Sequence, residues 1–406
     1  MSGLRARRLA ERRAARRRAV RRNAMVVAAS VVVAAGAVTG LRSAFDDRPP
    51  VEEATSTERT LSPRPDPPPV EPPPSPSPRS AAPSGSASPS SSSTGPPSER
   101  RPSATATPRA TREQHSAPAA GRLYRHPDSH VLDWVRANPD DPRRDVIRQR
   151  IADQPASVWF ADFTPSTITS RVAAVTSGAA AEGRVPVLVP YAIPDRDCGG
   201  HSQGGAPGLA AYDAWIDRFA AGLGSGEVIV ILEPDAVAQA DCLSAADRAA
   251  RFASLARAGR VLKKANPEAR VYHDAGHSGW RPAAEQAGLL RQAGAASAAS
   301  SDGVFSNVSN FHRTADEIAY DRRVLDALGG PAGLGAVIDT SRNGNGAPAD
   351  GQWCDPAGRR LGRAPTLNTG EERIDAYLWV KLPGESDGCK GAPGTFTPSY
   401  AYDLAR

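Results

Sequence analysis

Acidic side chains follow short apolar runs at five places in this sequence. The run at 228–232 ends in Glu233 and Asp235, and the run at 270–273 ends in Asp274. Three further runs lead to carboxylates in the same way: to Asp195 and Asp197, to Asp339, and to Glu385 and Asp387. A single carboxylate after a strand is often a helix cap, but five together indicate a functional site. Because no metal motif such as His-Glu-x-x-His accompanies them, the pattern favours general acid–base catalysis.

These positions need a scaffold that brings strand ends together. Stretches of helical period, such as 245–264 and 283–293, separate apolar runs that recur roughly every 30–40 residues. This alternation is typical of βα units and predicts an α/β fold, a distorted TIM-like barrel with about seven parallel strands. A doubly wound open sheet is the alternative, although no Gly-x-Gly-x-x-Gly follows the first run. The predicted strands are 157–160, 185–190, 228–232, 270–273, 303–308, 336–339 and 376–380.

Composition divides the chain before this barrel. Of the 38 prolines, 19 lie between residues 43 and 120, and a segment so rich in Pro, Ser and Thr predicts a disordered linker. Residues 1–120 carry 19 basic and 10 acidic side chains, which leaves 31 basic and 34 acidic for the remainder. The basic charge therefore belongs to the N-terminal part, and a nucleic-acid partner for the folded part is not expected.

Ten arginines precede an apolar segment at 24–41. Basic residues before an apolar run predict an export signal. Ala35-Gly36-Ala37 fits a cleavage site, but the 18-residue run could equally remain as a membrane anchor. A nucleic-acid arm is a weaker alternative. The expected organisation is a signal or anchor at 1–42, the linker at 43–120 and a catalytic domain at 121–406, secreted or held at the cell surface.

Four cysteines are present, namely Cys198, Cys242, Cys354 and Cys389. An even number in an exported chain predicts two disulfides, and the sequence leaves the three pairings open. A zinc site is disfavoured because no Cys-x-x-Cys spacing occurs.

Seven ordered blocks of this sequence resemble glycoside hydrolase family 6, the inverting β-1,4-glucanases. They read VPYAIPDRDCGGHSQGGA, VIVILEPDAVA, VYHDAGHSGW, FSNVSNF, VIDTSRNGNG, WCDPAGRRLGRAPT and LWVKLPGESDGC. The resemblance covers essentially all of 121–406. It implies a monomeric hydrolase without a metal or organic cofactor that cleaves internal bonds in cellulose or related β-glucans. A cellobiohydrolase and a non-catalytic glucan-binding wall protein are the alternatives, but the long loops that would roof the cleft are not evident.

The resemblance also implies roles for individual residues. Asp235 matches the general acid, and Asp197 matches the aspartate that raises the pKa of this acid. An ion pair of Asp197 with Arg196 or Arg342 is the alternative. Asp387 matches the candidate base, which in an inverting mechanism acts through a water. Further matches are Asp274, which supports the site electrostatically, Tyr191, which lies under the reacting sugar, and Glu233, which is structural. A departure from the family is Gln203, which stands where members have Ser or Ala.

A glucan cleft also needs aromatic platforms and partners for sugar hydroxyls. Trp280 and Trp353 match sugar subsites, Trp159 is a weaker candidate, and a buried core position is the alternative for each. The other tryptophans are expected to be packing residues. The predicted hydroxyl partners are Lys381, Glu385, His277, Asn307 and Asn310.

Overall fold

The computed structural model describes residues 123–406. This part of the chain forms seven strands and eight α-helices. Within it, two helices precede the first strand, one helix follows each strand except the sixth, and no α-helix lies between the sixth and seventh strands. The strands are β1 Val158–Phe160, β2 Val187–Pro190, β3 Val228–Leu232, β4 Ala269–Asp274, β5 Gly303–Ser306, β6 Gly335–Asp339 and β7 Ile374–Leu378. The helices are α1 His130–Ala137, α2 Arg144–Ile147, α3 Ile168–Ala181, α4 Leu209–Ala220, α5 Ala245–Ala265, α6 Ala283–Gln292, α7 Thr314–Leu328 and α8 Pro398–Ala405.

All seven strands are parallel and pair in chain order, so each βα unit lies beside the next. The first and last strands share no ladder. They meet through the residue before β1, because the Ser157 N–H donates to the Trp379 carbonyl oxygen at 3.0 Å. The Val380 carbonyl oxygen also accepts from Ser157 Oγ at 2.6 Å and from Trp159 Nε1 at 2.7 Å. The sheet therefore curves into a barrel with a seam between β1 and β7, and the predicted fold is confirmed.

Strand alternation distributes the apolar side chains over two layers. On β3, Ile229 and Ile231 point into the barrel with Tyr272 and Phe305. Their neighbours Val228, Val230 and Leu232 pack outward against the helices. Since residues two apart on a strand share a face, one continuous apolar run supplies both layers. This explains why the runs read as uninterrupted hydrophobic segments.

The predicted strands agree with the observed ones to within about two residues. The run at 228–232 is reproduced without change, and the helix predicted at 245–264 extends to Ala265. The largest difference is at β7, which was predicted at 376–380 and lies at Ile374–Leu378. Trp379 and Val380 instead face the seam. Trp215 and Trp379 are buried packing residues, as predicted.

The N-terminal predictions lie outside the described residues. The signal or anchor at 1–42 and the linker at 43–120 fall there, so they stay predictions. Within residues 123–406, no helix combines the length and hydropathy needed to cross a bilayer.

Candidate active site

Two carboxylates follow β3, and the backbone sends them in different directions. Glu233 and Asp235 both have positive φ, at 50° and 68°. This breaks the strand alternation that would have placed them on one face. Glu233 is fully buried and accepts hydrogen bonds from the backbone N–H groups of Ala192 and Ile193 at 2.9–3.0 Å. It ties the end of β3 to the segment after β2, which is a structural role.

Asp235 turns into an open cleft above the barrel, where it is half-buried. Burial raises its pKa well above the ordinary value, and the negative charges of Asp274, Asp197 and Asp387 raise it further. A carboxyl group in this environment keeps its proton at a pH where an exposed aspartate has lost it. It can therefore donate a proton to a bound oxygen atom.

Asp274 lies beneath the cleft rather than in it. Its Oδ2 accepts from the Val237 and Ala238 N–H groups at 3.2 and 2.9 Å, and its Oδ1 accepts from Gly276 N–H at 2.9 Å. The buried carboxylate thus fixes the loop that carries Asp235. Asp274 therefore acts on the cleft through its charge and by holding the backbone of this loop, and its side chain does not reach the substrate.

The loop after β2 presents Asp197 to the cleft. The Ser202 N–H donates to Asp197 Oδ2 at 2.6 Å. Arg196 instead directs its guanidinium to the Ser202, Ala161 and Tyr191 carbonyl oxygens and lies over the Tyr191 ring, with 4.5 Å from its Cζ to the centroid. Within residues 123–406, Asp197 forms no salt bridge with Arg196, which bonds carbonyl oxygens, or with Arg342, which pairs with Asp387. Its charge is therefore not neutralised by a direct ion pair.

A tight turn and a disulfide hold this loop. A Cβ on Gly205 would lie 2.0 Å from the Ile193 carbonyl oxygen at a φ of 104°, so this position requires glycine. Cys198 is bonded to Cys242, which follows β3. The disulfide links the Asp197 loop directly to the segment that follows Asp235.

Asp387, beyond β7, lies between two cations. Its Oδ2 is 2.8 Å from Arg342 Nη1 and its Oδ1 is 3.3 Å from Lys381 Nζ. Asp355 holds the backbone around it, accepting from the N–H groups of Asp387 and Lys390 at 2.8 Å. The second disulfide, Cys354–Cys389, closes the same region. Both oxygens of Asp387 thus have cationic partners, and the ion pairs fix where its negative charge lies.

Sequence reasoning missed the supporting roles of Arg342 and Asp355. Both lie in the quoted blocks, but only the tertiary structure brings them beside Asp387. The sequence signal that points to such residues is a charged side chain within an otherwise apolar or Gly-rich block. In the structure, Arg342 is completely buried.

The cleft has a volume of about 860 Å³ and an aromatic rim. Trp159, Trp280 and Trp353 all line it. Trp159 and Trp280 are half-buried, and Trp159 also packs against the inner apolar layer of the barrel. Trp353 is 51% exposed, which excludes a packing role for it. Tyr191 lies in the floor with its ring edge against Trp159, at a centroid distance of 5.3 Å. Flat apolar faces beside polar groups are what a pyranose ring requires.

His277 lines the cleft together with His312, which the sequence reasoning did not select. Their rings stack with a centroid distance of 4.2 Å. Burial, together with the adjacent His312, lowers the pKa of His277 to about 3. His277 is therefore neutral near pH 7 and can both donate and accept hydrogen bonds.

The two predicted asparagines differ. Asn310 lines the cleft. Asn307 does not, and its predicted contact with sugar has to be corrected. It is fully buried, its Nδ2 donates to the Asp339 and His312 carbonyl oxygens, and its Oδ1 accepts from the His312 N–H. Its amide is occupied in shaping the loop after β5.

Lys381 and Glu385 line the cleft after β7. Lys381 is held by Asp387 and by the Ser386 carbonyl oxygen at 3.0 Å. Glu385 Oε1 accepts from His130 Nδ1 at 3.0 Å, which links the cleft to α1. Gln203 is exposed at the rim beside Ser202.

One group of potential metal donors occurs among residues 123–406. Atoms of His201, Cys354 and Cys389 lie within 4.8 Å of one another. The two cysteines are joined in a disulfide, so they offer no thiolate to a metal.

A seven-stranded α/β barrel with an acid of raised pKa in an aromatic-lined open cleft has the features that a glycoside hydrolase needs. A sequence model described as "Glycosyl hydrolases family 6" matches residues 119–401, and the chain belongs to this family. The resemblance identified from the sequence is thereby confirmed.

Similar proteins carry endoglucanase names. Endoglucanase 1 of Streptomyces sp. (strain KSM-9) is 54% identical over 70% of this chain and 77% of the relative. Endoglucanase A of Thermobispora bispora is 51% identical over 70% of this chain, which spans 61% of that relative. The structure of the endoglucanase Cel6 from Mycobacterium tuberculosis, solved with methyl-cellobiosyl-4-deoxy-4-thio-β-D-cellobioside, is 42% identical. It has a TM-score of 0.64 and covers 70% of this chain and 95% of its own.

Proposed function

We propose that this enzyme hydrolyses internal β-1,4-glucosidic bonds of cellulose or a related β-glucan with inversion at the anomeric carbon. The observation that best supports this function is the environment of Asp235, a half-buried acid whose pKa is raised by burial and by three nearby carboxylates. In the proposed reaction, Asp235 gives its proton to the glycosidic oxygen as the bond to the anomeric carbon breaks. A water attacks the opposite face of the sugar and loses its proton.

The proton from this water passes to a second carboxylate in the cleft. Asp387 is the proposed base, acting directly or through a chain of waters. Its two ion pairs, to Arg342 and Lys381, engage both of its oxygens. Asp197 lacks such an ion pair among the described residues, and its Oδ2 accepts a hydrogen bond from the N–H of Ser202, which precedes the exposed Gln203. We assign to Asp197 the roles of raising the pKa of Asp235 and of holding water in this network.

Endo action is supported by the open rim. A tunnel would enclose its aromatic residues, whereas half of the Trp353 side chain is exposed. Three tryptophans distributed along one cleft support an extended chain of sugars rather than a single unit. Tyr191 beneath the reacting sugar would favour a distorted ring.

The test is hydrolysis of carboxymethyl cellulose by residues 121–406, with wild type beside Asp235→Ala. We expect fast loss of viscosity per new reducing end, the α-anomer as the first product by NMR, and a loss of about 10²–10⁴-fold in the variant. β-Anomer as the first product would overturn inversion. Slow viscosity loss would overturn endo action. Glucan binding without sugar release would instead identify a binding protein.

We also propose the arrangement in which this domain works. Residues 1–42 would direct export or anchor the chain, and 43–120 would act as a tether that lets the catalytic domain reach an insoluble glucan. Two disulfides support an oxidising, extracellular location. Intact mass and N-terminal sequencing of the secreted protein would distinguish cleavage after Ala37 from retention as an anchor, and light scattering would test the monomer.

A further inference from the structure

A second cavity lies beside the cleft, at the seam between β1 and β7. It has a volume of about 350 Å³ and a floor formed by apolar residues of the strands and of the π-helical turn Arg148–Ala152, including Val158, Ile151 and Trp379. Ligand pockets are typically about 300–1,000 Å³, so this volume can accept one or two sugar units but not a long chain. We call it the seam cavity.

The seam cavity adjoins the catalytic cleft. Trp159, Leu382 and Glu385 line both. Trp159 cannot rotate freely, because its Nε1 donates to the Val380 carbonyl oxygen at 2.7 Å. Glu385 is also fixed, by the hydrogen bond from His130. A glucan chain that reaches Trp159 and Glu385 in the cleft is therefore next to a preformed cavity on the far side of these two side chains.

The rim of the seam cavity carries groups that suit sugar hydroxyls. Arg125, Asp128 and His130 are exposed, and Phe396 adds a half-buried aromatic ring. Among the described residues, the Arg125 guanidinium forms one hydrogen bond, a long one of 3.4 Å to the Ala152 carbonyl oxygen. His130 uses Nδ1 for Glu385 and for the Gly394 carbonyl oxygen, both at 3.0 Å, while its Nε2 forms no hydrogen bond within 123–406. Apolar walls with a few polar groups at the edge are the usual composition of a binding pocket.

We propose that the seam cavity is an additional glucosyl subsite, which binds one more unit of the substrate chain beyond Trp159. This inference rests on the proposed function, because the ligand is the same β-1,4-glucan. Its consequence is a preference for longer oligosaccharides. A chain too short to pass Trp159 gains nothing from the cavity, whereas a longer chain gains the contacts with the rim.

The test is to fill the cavity without touching the cleft. Gln154 lines the seam cavity and not the cleft, and its side chain makes no hydrogen bond within the described residues. Gln154→Trp should occupy the space that a glucosyl unit would take. The matched control is Gln149→Trp, the same exchange at an exposed position of the π-helical turn Arg148–Ala152, which precedes Gln154 and lies outside both cavities at this residue. Asp128→Ala, which removes one exposed rim group, is a milder second variant.

The readout is kcat/KM for cellotetraose, cellopentaose and cellohexaose, with the cleavage position followed by mass spectrometry of end-labelled substrate. We expect Gln154→Trp to lower the ratio of kcat/KM for cellohexaose to kcat/KM for cellotetraose about tenfold. A loss of this size corresponds to one lost hydrogen bond to a charged group. Asp128→Ala should lower it less, and Gln149→Trp should leave it unchanged. The cleavage position in cellohexaose should move as the chain shifts out of the cavity.

An unchanged ratio and cleavage position in a folded Gln154→Trp variant would overturn the subsite, as would an equal loss on all three substrates. If wild type cleaves none of them, the proposed function fails separately. The affinity of the same oligosaccharides for the same variants, measured by calorimetry, then tests the subsite. An affinity that does not depend on chain length would overturn it.

Discussion

Replacing Asp274 with asparagine tests how the scaffold controls the catalytic acid. The carboxylate accepts three backbone hydrogen bonds, from Val237, Ala238 and Gly276. An asparagine oxygen in the place of Oδ2 keeps the first two, but its amide N–H₂ then faces the Gly276 N–H. One buried N–H loses its acceptor, which costs about 1–3 kcal/mol. We therefore expect Tm to fall by about 2–4 °C for each kcal/mol lost.

The same substitution acts on the pKa of Asp235. Burial is the main cause of the raised pKa, and the charge of Asp274 is the next. Asp274→Asn removes that charge while leaving the burial, so the pKa of Asp235 falls. Because Asp235 acts in its protonated form, the alkaline limb of kcat/KM moves to lower pH. The acid limb, which belongs to the base, should change less.

The assay is a pH profile of kcat/KM on a soluble glucan, paired with a thermal melt. The control is Asp140→Asn, the same exchange at an exposed position remote from the cleft. An aryl cellobioside with a good leaving group needs little help from the acid, so its hydrolysis should be less affected. An unchanged alkaline limb in a folded Asp274→Asn protein would refute the electrostatic coupling, and an unchanged Tm would refute the role in holding the loop.

Three further predictions concern stability and binding. Burial raises the pKa of Glu233 to about 7. Its protonated form therefore stabilises the fold below about pH 4.5, and this contribution is lost as the pH rises through 7. In Glu233→Gln, the free energy of unfolding measured in urea should vary less between these two pH values, while activity remains. Replacing Cys198 and Cys242 by serine opens a loop with a sequence separation of 44 and should cost about 4 kcal/mol, with a further loss of activity because the Asp197 loop is released; equal activity would contradict the positioning role. Trp353→Ala should raise KM roughly tenfold, for a lost contact of about 1.4 kcal/mol, with an unchanged melt because the side chain is 51% exposed; a lower Tm would indicate packing instead.

Much of the scaffold could be predicted from the sequence, because the signals are local. Apolar runs separated by helical periods gave seven strands in the observed order. Carboxylates after those runs marked the active end, since parallel strands present their carboxyl ends together. The weakest boundary was β7, where Trp379 and Val380 read as strand although they face the seam.

The choice between Glu233 and Asp235 could not be made from the strand pattern. Two residues apart, they would share a face on a regular strand. The structure separates them because both adopt positive φ, a backbone conformation that the alternation rule does not anticipate. The assignment of Asp235 from the sequence depended on the family resemblance.

Asn307 illustrates the opposite case. Its residue type suits a sugar hydroxyl, and its block lies after a strand, yet its amide is used by His312 and Asp339. Arg342 likewise emerged as the partner of Asp387, 45 residues away in sequence.

The sequence by itself determined the barrel, the edge on which the acids gather and the family. Those properties follow from periodicity and residue type, which act over a few positions along the chain. The tertiary structure decided which carboxyl groups face the cleft, how the four cysteines pair and where the seam cavity opens. These depend on contacts between segments remote in sequence, because burial and charge at one residue are set by whatever the fold places beside it.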